Sequence, residues 1–467
     1  MKIQVKNLGV LQQAEFTLGD MTILCGGNNT GKTYATYALF GFLSQWQSFL
    51  PVEIPQQTVD SLLSDGVVRI DVREYAKDAE SILMRGCRAY EKRLPEIFAA
   101  SENRFRDSQF SITIQPDDIR TDEGYDRRFN VMEHGKGMFL IKKEESSYDL
   151  VITLLVDEDI KIPDGMIVGA ISFVLEDIVF SPLFPRPFIV SAERTGTALF
   201  YKNMNFARRR MRSGMFAYSG ILALSAASLE PALSEFDKPY AAPIEADLDL
   251  AWQLEFKARK NSFVANDHPD ILADFADIIG GEYAVTDRGD AHFIPKDKGA
   301  RLTIGESSSS VRSLFNIGFY LRHIARHGDL LMVDEPELSL HPENQRRVAR
   351  LFARLVNIGI KVFITTHSDY IIKELNTLIM LKRDRPHLKA IAEREGYKPE
   401  ELIDPARIRV YIAEEKLLEL EGGEGKVRGQ TLTQADIDPE LGIEARSFDT
   451  TIDTMNRIQK DIIWGEE

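Results

Sequence analysis

The chain has 467 residues, of which 44% are apolar, and its 57 basic and 72 acidic residues give a net charge of −15. This length and composition predict a folded protein of more than one domain, and the acidic balance argues against a surface that is basic throughout. Because it has only two cysteines, no apolar run of roughly 18 residues and no apolar signal segment near Met1, we exclude disulfide-rich, membrane-spanning and secreted proteins. We expect a cytoplasmic protein without a membrane partner.

The first 50 residues predict three short strands followed by a helix. Residues 3–5, 14–18 and 21–25 have the apolar residues of strands, and the third of these strands is predicted to be buried. A cluster of Gly and Asn follows directly. Helical spacing then runs from about residue 32 to residue 46.

The next segment, residues 51–185, has the features of an inserted lobe with helices and antiparallel strands. Prolines mark its entry, and helical spacing with many charges occupies 69–100. Apolar and polar residues alternate over 108–156 as in antiparallel strands, and a mostly apolar helix is predicted at 166–180.

The remainder of the chain predicts a parallel sheet. Short apolar strands at 330–333 and 361–365 enclose a helix at 343–356, which is a strand–helix–strand pattern. The other predicted elements are strands at 188–190, 283–285, 291–294 and 408–412 and helices at 197–233, 246–258, 270–279, 311–326 and 451–464.

One glycine-rich segment, residues 26–33, matches the full pattern of a phosphate-binding loop and lies between a buried strand and a helix, as this motif requires. Glycines allow backbone N–H groups to surround a phosphate, and the helix N-terminus adds positive potential. Lys32 is expected to reach the β- and γ-phosphates of ATP, and Thr33 to ligate Mg²⁺. A glycine-rich turn formed by chance is the alternative. The predicted nucleotide-binding residues of the loop are Gly26, Asn28, Asn29, Thr30, Gly31, Lys32 and Thr33.

A second motif is the acidic pair that follows the apolar strand at 330–333. In open α/β sheets, ligands bind at the carboxyl edge of the strands, where this pair would lie. We expect Asp334 to hold Mg²⁺ and Glu335 to polarise the attacking water as a general base. Strands that end in Asp-Glu are common, so this interpretation depends on the combination with the phosphate loop.

These motifs resemble those of the ABC-type ATPases of the SMC, RecF and OLD branch. The segment Asp-Glu-Pro-Glu-Leu-Ser-Leu-His-Pro at 334–342, with Glu337 and His341, is similar to the OLD and RecF side of that branch. In Thr-Thr-His-Ser at 365–368, the resemblance implies that His367 is the switch histidine that contacts the γ-phosphate. A polar residue at a strand end is the alternative for His367.

The resemblance implies an α/β fold: an ABC-type P-loop ATPase head with a mixed or parallel sheet, an inserted α+β lobe and a small C-terminal extension. We therefore predict an ATPase domain in two parts, 1–50 and 186–380, an inserted lobe at 51–185 and an extension at 381–467. ATP and Mg²⁺ are the implied cofactors.

The same resemblance implies a signature segment at a helix N-terminus, which caps the nucleotide bound by a second subunit. Four serines at 307–310 precede the predicted helix at 311–326, and Ser309 and Ser310 are the expected contacts. Serine hydroxyls and the N–H groups of a helix start suit a γ-phosphate. A plain serine N-cap is the alternative, and the absence of the signature glycines leaves the register open.

Two further segments contain arginines whose roles stay open. Residues 191–196 resemble an arginine-containing motif of OLD-like ATPases, which implies that Arg194 senses nucleotide or a neighbouring subunit; a salt-bridged arginine is the alternative. Lys202 and the arginines within 208–212 form a basic cluster that suits nucleic-acid phosphates. A solvated helix face or an interface ion-pair strip is the more common role of such a run. No residue is assigned to a glutamine loop.

Within the branch, the anti-phage defence ATPases are most similar, namely AriA of the PARIS system and then PtuA of Septu. This resemblance implies a regulatory ATPase that forms a dimer or larger ring through its ATP sites. Its further partners would be a separate effector, a nuclease, and a phage protein as the trigger. Asp436 and Asp438 form an Asp-x-Asp pair without an upstream glutamate partner, so no nuclease activity of the chain itself is expected.

Other functions stay open. A DNA-repair or recombination ATPase of the RecF or OLD kind would act on DNA directly, and the basic cluster is its main support. The net charge of −15 favours the regulatory role. A transporter nucleotide-binding subunit fits poorly, because such subunits carry the glycine signature that this chain lacks.

Overall fold

The structure is a computed structural model that describes residues 1–50, 52–115, 118–130, 137–156, 163–200, 240–287, 289–296, 299–419, 425–443, 454–455 and 457–461. The chain divides into two compact units. The smaller unit comprises Met1–Gln4, Phe42–Arg93 and Gln109–Pro185. The larger unit comprises Val5–Gly41, Leu94–Ser108 and Arg186–Glu467.

The elements are numbered here along the chain. The strands are β1 (Lys2–Leu8), β2 (Leu11–Thr17), β3 (Met21–Gly26), β4 (Val67–Asp71), β5 (Gln109–Thr113), β6 (Tyr125–Asn130), β7 (Gly137–Lys143), β8 (Asp149–Val156), β9 (Pro187–Val190), β10 (Gly281–Val285), β11 (Ala291–Pro295), β12 (Leu302–Thr303), β13 (Leu330–Asp334), β14 (Lys361–Thr366), β15 (Ile408–Glu419), β16 (Lys426–Gln434), β17 (Ile437–Asp438) and β18 (Gly442–Ile443). The helices are α1 (Lys32–Gln45), α2 (Gln56–Asp65), α3 (Val72–Lys77), α4 (Ala79–Glu91), α5 (Leu94–Ile97), α6 (Asp164–Phe180), α7 (Ala242–Lys257), α8 (Phe263–Asp267), α9 (Pro269–Ile279), α10 (Ser309–Phe319), α11 (Pro342–Asn357), α12 (Asp369–Leu381) and α13 (Pro386–Arg394).

The larger unit is built on a mixed sheet in which strands run in the order β2, β16, β15, β3, β14, β13 and β9. The last five of these strands are parallel, whereas β16 is antiparallel to β15. Strands β3 and β13 are buried along their whole length, as expected of parallel strands covered on both faces. The predicted α/β fold with a mixed sheet is confirmed, and the parallel strands bring their carboxyl ends to one edge.

Helices hold this edge in place through a continuous apolar core. Val333 of β13 and Ile364 of β14 are fully buried in the same cluster as Leu314 of α10, Phe352 of α11 and Leu375 of α12. Burial of one such side chain contributes roughly 1.5–3 kcal/mol. The strand ends are therefore fixed to three helices by ordinary core packing.

Most predicted strands and helices are confirmed, but the helix predicted over 69–100 is wrong at its start. Strand β4 occupies part of that range and pairs with β8, and three separate helices follow it. Val67, Val68 and Ile70 favour a strand because branched side chains suit the pleated surface. Asp71 then begins α3 by accepting a hydrogen bond from the backbone N–H of Arg73.

Two other elements differ most from their predicted extent. The helix predicted over 311–326 is α10, which ends at Phe319 and continues as a π-helical turn over Tyr320–Ile324. The strand predicted at 408–412 is longer, because β15 reaches Glu419 and forms a hairpin with β16. It pairs in parallel with β3, so a strand from the predicted C-terminal extension lies beside the phosphate-loop strand.

The smaller unit contains an antiparallel sheet in the order β4, β8, β7 and β6. Its aromatic side chains pack together, with the rings of Phe42, Tyr90 and Phe110 about 5 Å apart. The apolar helix predicted at 166–180 is confirmed as α6. Among the described residues, no helix combines the length and apolar character needed to cross a bilayer.

Some predictions fall on parts of the chain outside the described residues. These include most of the helix predicted at 197–233, Lys202 and the arginines within 208–212. The last predicted helix spans 451–464. Its described residues, 454–455 and 457–461, are helical.

Candidate nucleotide-binding site

The loop between β3 and α1 has a backbone conformation that requires glycine at two positions. Gly26 has a φ of 134° and Gly31 a φ of 98°. A Cβ atom at Gly26 would lie 2.5 Å from the carbonyl oxygen of Ala413, and one at Gly31 would lie 2.5 Å from Cγ of Leu11. Side chains at these positions would push the loop away from β15 and β2.

Lys32 begins α1 and turns its side chain back over the loop. Its Nζ atom donates hydrogen bonds to the carbonyl oxygens of Gly26, at 3.1 Å, and Gly27, at 2.7 Å. The residue is buried, which lowers the pKa of its ammonium group, while Glu335 and Asp334 oppose that shift electrostatically. The neighbouring Thr33 is exposed. The ammonium therefore lies at the loop and within electrostatic reach of the acidic pair.

Asp334 ends β13 as a buried carboxylate, and its side chain is hydrogen-bonded to Thr365 of β14. The two residues are paired in the sheet register, and the Thr365 hydroxyl donates to Oδ1 of Asp334. The same hydroxyl accepts the backbone N–H of Glu335 at 3.1 Å. Burial raises the pKa of Asp334 to about 6. Thr365 thus orients both acidic residues, a role that sequence reasoning did not assign.

Glu335 is held in an unusual conformation next to His367. Its φ is 49°, in the left-handed region that is uncommon for residues other than glycine. Its Oε1 atom lies 3.2 Å from Nε2 of His367. The hydrogen bond with His367 lowers the pKa of Glu335, which keeps the carboxylate ionised. The structure therefore brings together the predicted general base and the predicted switch histidine.

Glu337 joins the loop after β13 to the end of β14. Its Oε1 atom accepts the backbone N–H of His367 at 2.6 Å, and burial raises the pKa of its carboxyl group. One residue further, the Ser368 hydroxyl donates to Oε1 of Gln345 at 2.5 Å. The first bond fixes the backbone N–H of His367, and the second holds the side chain of the next residue.

Arg194 is 1% exposed and donates to four backbone carbonyls. The acceptors are Ser191 at 3.0 Å, Ser313 at 2.9 Å, Asp334 at 2.6 Å and Glu335 at 2.6 Å. Its hydrogen-bond partners are thus carbonyls rather than the carboxylates of a salt bridge. A direct contact with nucleotide would require the guanidinium to leave these bonds.

Sequence reasoning assigned no role to Glu193, the residue before Arg194. Its Oε2 atom accepts a hydrogen bond from the Tyr37 hydroxyl of α1 at 3.3 Å. The Glu193 carboxylate also contributes to the raised pKa of Asp334, so the two groups interact electrostatically. The available signal was its position just after β9, at the same edge as Asp334. Glu193 adds a further acidic side chain to the site.

The serine segment begins α10, where the capping role is taken by a single residue. Ser308 is the N-cap, and its Oγ atom accepts the backbone N–H of Val311 at 3.3 Å. Its hydroxyl also lies 2.9 Å from that of Ser310. Ser309 is exposed and Ser310 half-buried. The described contacts connect α10 to the acidic pair through the bond between Arg194 and the carbonyl of Ser313.

The oxygen donors of this site fit Mg²⁺, and its loop fits a phosphate chain. The Thr33 hydroxyl and the Asp334 carboxylate are hard oxygen ligands of the kind Mg²⁺ prefers. Lys32 and the start of α1 supply positive charge and N–H donors next to them.

The Asp-x-Asp pair at 436–438 spans the short strand β17, and Asp438 lies just before the turn that follows this strand. The Asp438 carboxylate accepts the backbone N–H groups of Glu440, at 2.6 Å, and Leu441, at 2.9 Å. These bonds are typical of an acidic turn residue.

Comparison with known protein families finds a match over one part of the chain. Residues 221–372 match the family described as "AAA ATPase domain", a range that includes α10, Asp334, Glu335 and His367. No curated protein matches the chain. Residues 221–372 are therefore similar to an ATPase domain, and the glycine-rich loop at 26–33 lies outside the matched range.

Among solved structures, the chain is similar to three SMC heads. An SmcHead bound to the C-winged helix domain of ScpA is 9% identical, with 92% of this chain and 97% of that chain covered and a TM-score of 0.33. The SMC head domain from Thermotoga maritima is 10% identical, with 93% and 98% covered and a TM-score of 0.30. An Smc head with an extended coiled coil, bound to the C-terminal domain of ScpA derived from Pyrococcus furiosus, is 10% identical, with 98% and 99% covered and a TM-score of 0.32.

Proposed function

We propose that the chain is a Mg²⁺-dependent ABC-type ATPase that hydrolyses ATP between two copies of itself and thereby controls a separate effector protein. The observation that carries the catalytic part is the contact of Glu335 with His367, beside Asp334 and within electrostatic reach of Lys32. An acid, a histidine and a lysine from three separate segments converge here at one edge of the sheet.

The nucleotide would be held by residues of the loop and of β13. Lys32 would exchange its bonds with the Gly26 and Gly27 carbonyls for phosphate oxygens. Thr33 and Asp334 would hold Mg²⁺, with Glu193 as a further oxygen donor near Asp334. When bound, Mg²⁺ would neutralise charge on the phosphate oxygens during transfer.

Hydrolysis would depend on the ionised carboxylate of Glu335. Its lowered pKa keeps it able to accept a proton from water at neutral pH. His367 orients this carboxylate in the present structure and would contact the γ-phosphate once nucleotide is bound. Thr365 fixes the backbone of Glu335 from the neighbouring strand.

Ser309 and Ser310 support a site shared by two subunits. They begin α10 with exposed or half-exposed hydroxyls, and Ser308 already supplies the cap. A two-fold arrangement in which each serine segment reaches the partner's nucleotide would give two equivalent sites. A dimer is then the minimum assembly, and a larger ring is compatible with it.

The regulatory role rests on the resemblance to the anti-phage ATPases AriA and PtuA, and the net charge of −15 is consistent with it. The effector would be a nuclease, the trigger a phage protein, and the compartment the cytoplasm. Closure of two subunits on ATP would alter contacts across a bound effector, and only such differential contacts can couple nucleotide to effector release.

Capture of the native complex tests this role. We expect a second protein to copurify with the wild-type chain and to be released on phage infection. The pure chain with ATP and Mg²⁺ or Mn²⁺ should leave DNA and tRNA intact. Cleavage that disappears in the Asp436→Ala/Asp438→Ala variant would instead identify a fused ATPase–nuclease.

A DNA-repair ATPase is the second candidate, favoured by the basic cluster within 208–212. It predicts tight DNA binding that weakens steeply with salt and is lost when these arginines are neutralised. Such binding, with no copurifying protein, would favour this function over the regulatory one.

A further inference from the structure

Arg194 connects three parts of the larger unit that are distant in sequence. Its Nε atom donates to Ser313 in the middle of α10, and its two Nη atoms donate to Asp334, Glu335 and its own neighbour Ser191. A guanidinium is planar and presents its N–H groups in a fixed fork. The four carbonyls are therefore held in one rigid arrangement.

The bonds of Arg194 to the carbonyls of Asp334 and Glu335 control the direction of the Glu335 side chain. The carbonyls of Asp334 and Glu335 belong to the two peptide planes on either side of the Glu335 Cα atom. Because Arg194 binds both, and Thr365 binds the N–H of Glu335, both dihedral angles of Glu335 are constrained. This constraint explains how Glu335 keeps a φ of 49° in front of Pro336, a position with restricted backbone freedom.

Helix α10 has a second connection to the same region through Asp247. This carboxylate of α7 is fully buried and accepts the side-chain amide of Asn316 at 2.7 Å. It also accepts both the backbone N–H and the hydroxyl of Ser191, at 3.1 and 2.6 Å. Asp247 also compensates the buried charge of Arg194. The helix that begins with the serine segment is thus tied to the end of β9 and to Glu335.

We propose that Arg194 is a positioning residue that couples α10 to Glu335, so that a displacement of α10 reorients the side chain of this general base. This inference rests on the proposed ATPase function. When Ser309 and Ser310 bind the nucleotide of a partner subunit, α10 would shift. The hydrogen bonds of Arg194 would transmit this shift to the backbone of Glu335. Hydrolysis would then depend on subunit contact.

The first test is the Arg194→Lys variant, which keeps the charge but cannot bind four carbonyls from one plane. We expect kcat to fall by about 10²-fold, the effect of a small misplacement of a catalytic group. The affinity for ATP should change by less than about threefold, because no described bond joins Arg194 to the loop at 26–33. The matched control is Arg354→Lys, another buried arginine, which is bonded to Asp270 and Asp274. It should keep the wild-type kcat.

A double-mutant cycle separates positioning from general destabilisation. If Arg194 acts through Glu335, adding Arg194→Lys to Glu335→Gln should lower the residual turnover by less than threefold, because the orientation of an absent base no longer matters. Additive losses in the two backgrounds, or a folded Arg194→Lys chain with wild-type kcat, would overturn the inference. If the wild-type chain itself fails to hydrolyse ATP, the proposed function fails instead.

A measurement on the unmodified protein keeps the test decisive if Arg194→Lys does not fold. Hydrogen exchange of the wild-type dimer, with and without a non-hydrolysable ATP analogue, should show protection that changes together in peptides 309–319 and 334–340. The Ser309→Arg/Ser310→Arg chain should lose both changes. Protection that changes in 334–340 alone would show that the helix and the base are not coupled.

Discussion

Oε1 of Glu335 lies 3.2 Å from Nε2 of His367, and the two residues directly follow different strands. Strands β13 and β14 are parallel neighbours, and Asp334 is paired with Thr365, so the residues just beyond each pair meet at the same edge. The histidine holds the carboxylate through a hydrogen bond that also lowers its pKa. This contact connects the two predicted catalytic residues before any nucleotide is bound.

Replacement of Glu335 tests its role as the base. Glu335→Gln keeps the size and hydrogen bonding of the side chain but cannot accept a proton from water. Turnover should fall by about 10²- to 10⁴-fold while ATP still binds, and the variant should accumulate in the ATP-bound, closed state. Single-turnover hydrolysis and ATP affinity measure the two effects separately. The exposed Glu395→Gln serves as a control, and a Glu335→Gln chain with the wild-type rate would mean that another residue is the base.

Removal of the Lys32 ammonium should act on binding. Lys32→Ala deletes the charge that is expected to meet the phosphates, and hydrogen bonds to charged groups contribute about 1.5–3 kcal/mol, or roughly 10- to 150-fold in affinity. Calorimetry with Mg–ATP measures the change. Lys373→Ala, at an exposed position on α12, is the matched control and should bind as the wild type does. Unchanged affinity in Lys32→Ala would contradict the assignment of the phosphate loop.

The smaller unit provides a prediction about stability and pH. Glu176 of α6 is 5% exposed, and burial raises its pKa to about 7. The folded state therefore keeps a proton that the unfolded state releases near pH 4.5, so this group lowers stability as pH rises from about 4.5 to 7. Above that range the loss is on the order of 3 kcal/mol.

Glu176→Gln should remove this loss. We expect the variant to be more stable than the wild type at pH 8 and to lose that advantage near pH 5, in urea unfolding followed at several pH values. The exposed Glu74→Gln in the same unit is the control and should follow the wild-type pH dependence. Parallel curves for Glu176→Gln and the wild type would show that Glu176 does not titrate in this range.

The parts of the site that could be predicted from the sequence are those carried by local patterns. The apolar run of β3, the glycines after it and the start of α1 are contiguous, so strand, loop and helix were all predicted within a few residues. Strands β13 and β14 were also predicted from contiguous residues, because runs of buried apolar residues are typical of parallel strands. Strand β4 was missed because its charged surroundings have helical spacing, whereas its pairing with β8 is distant in sequence.

Roles that depend on distant contacts could not be predicted. Glu193 meets Tyr37 across 156 positions of sequence, and the Thr365 hydroxyl serves Asp334 and Glu335 only because the sheet register brings them together. Arg194 was recognised as a motif residue, but its four carbonyl partners come from three segments. Backbone carbonyls carry no sequence signature, so only the folded chain shows what this arginine binds.

The last prediction concerns assembly. If Ser309 and Ser310 complete the site of a partner, a chain with Lys32→Ala has a defective loop but intact serines. A chain with Ser309→Arg/Ser310→Arg has the reverse defect, since the bulky charged groups would block the partner's phosphates. Each mixed dimer then contains one site with an intact loop and intact serines and one site with both defects.

Mixing the two defective chains should therefore restore part of the ATPase activity. For random pairing, half of the dimers are mixed and each holds one intact site, so recovery should approach about a quarter of the wild-type rate. Mixing Lys32→Ala with Glu395→Gln is the matched control for exchange of subunits, and sedimentation at the assay concentration gives the oligomeric state. A fully active monomer, or no recovery although mixed dimers form, would contradict a site shared between subunits. In that case the serine segment would have only the capping role that Ser308 already performs.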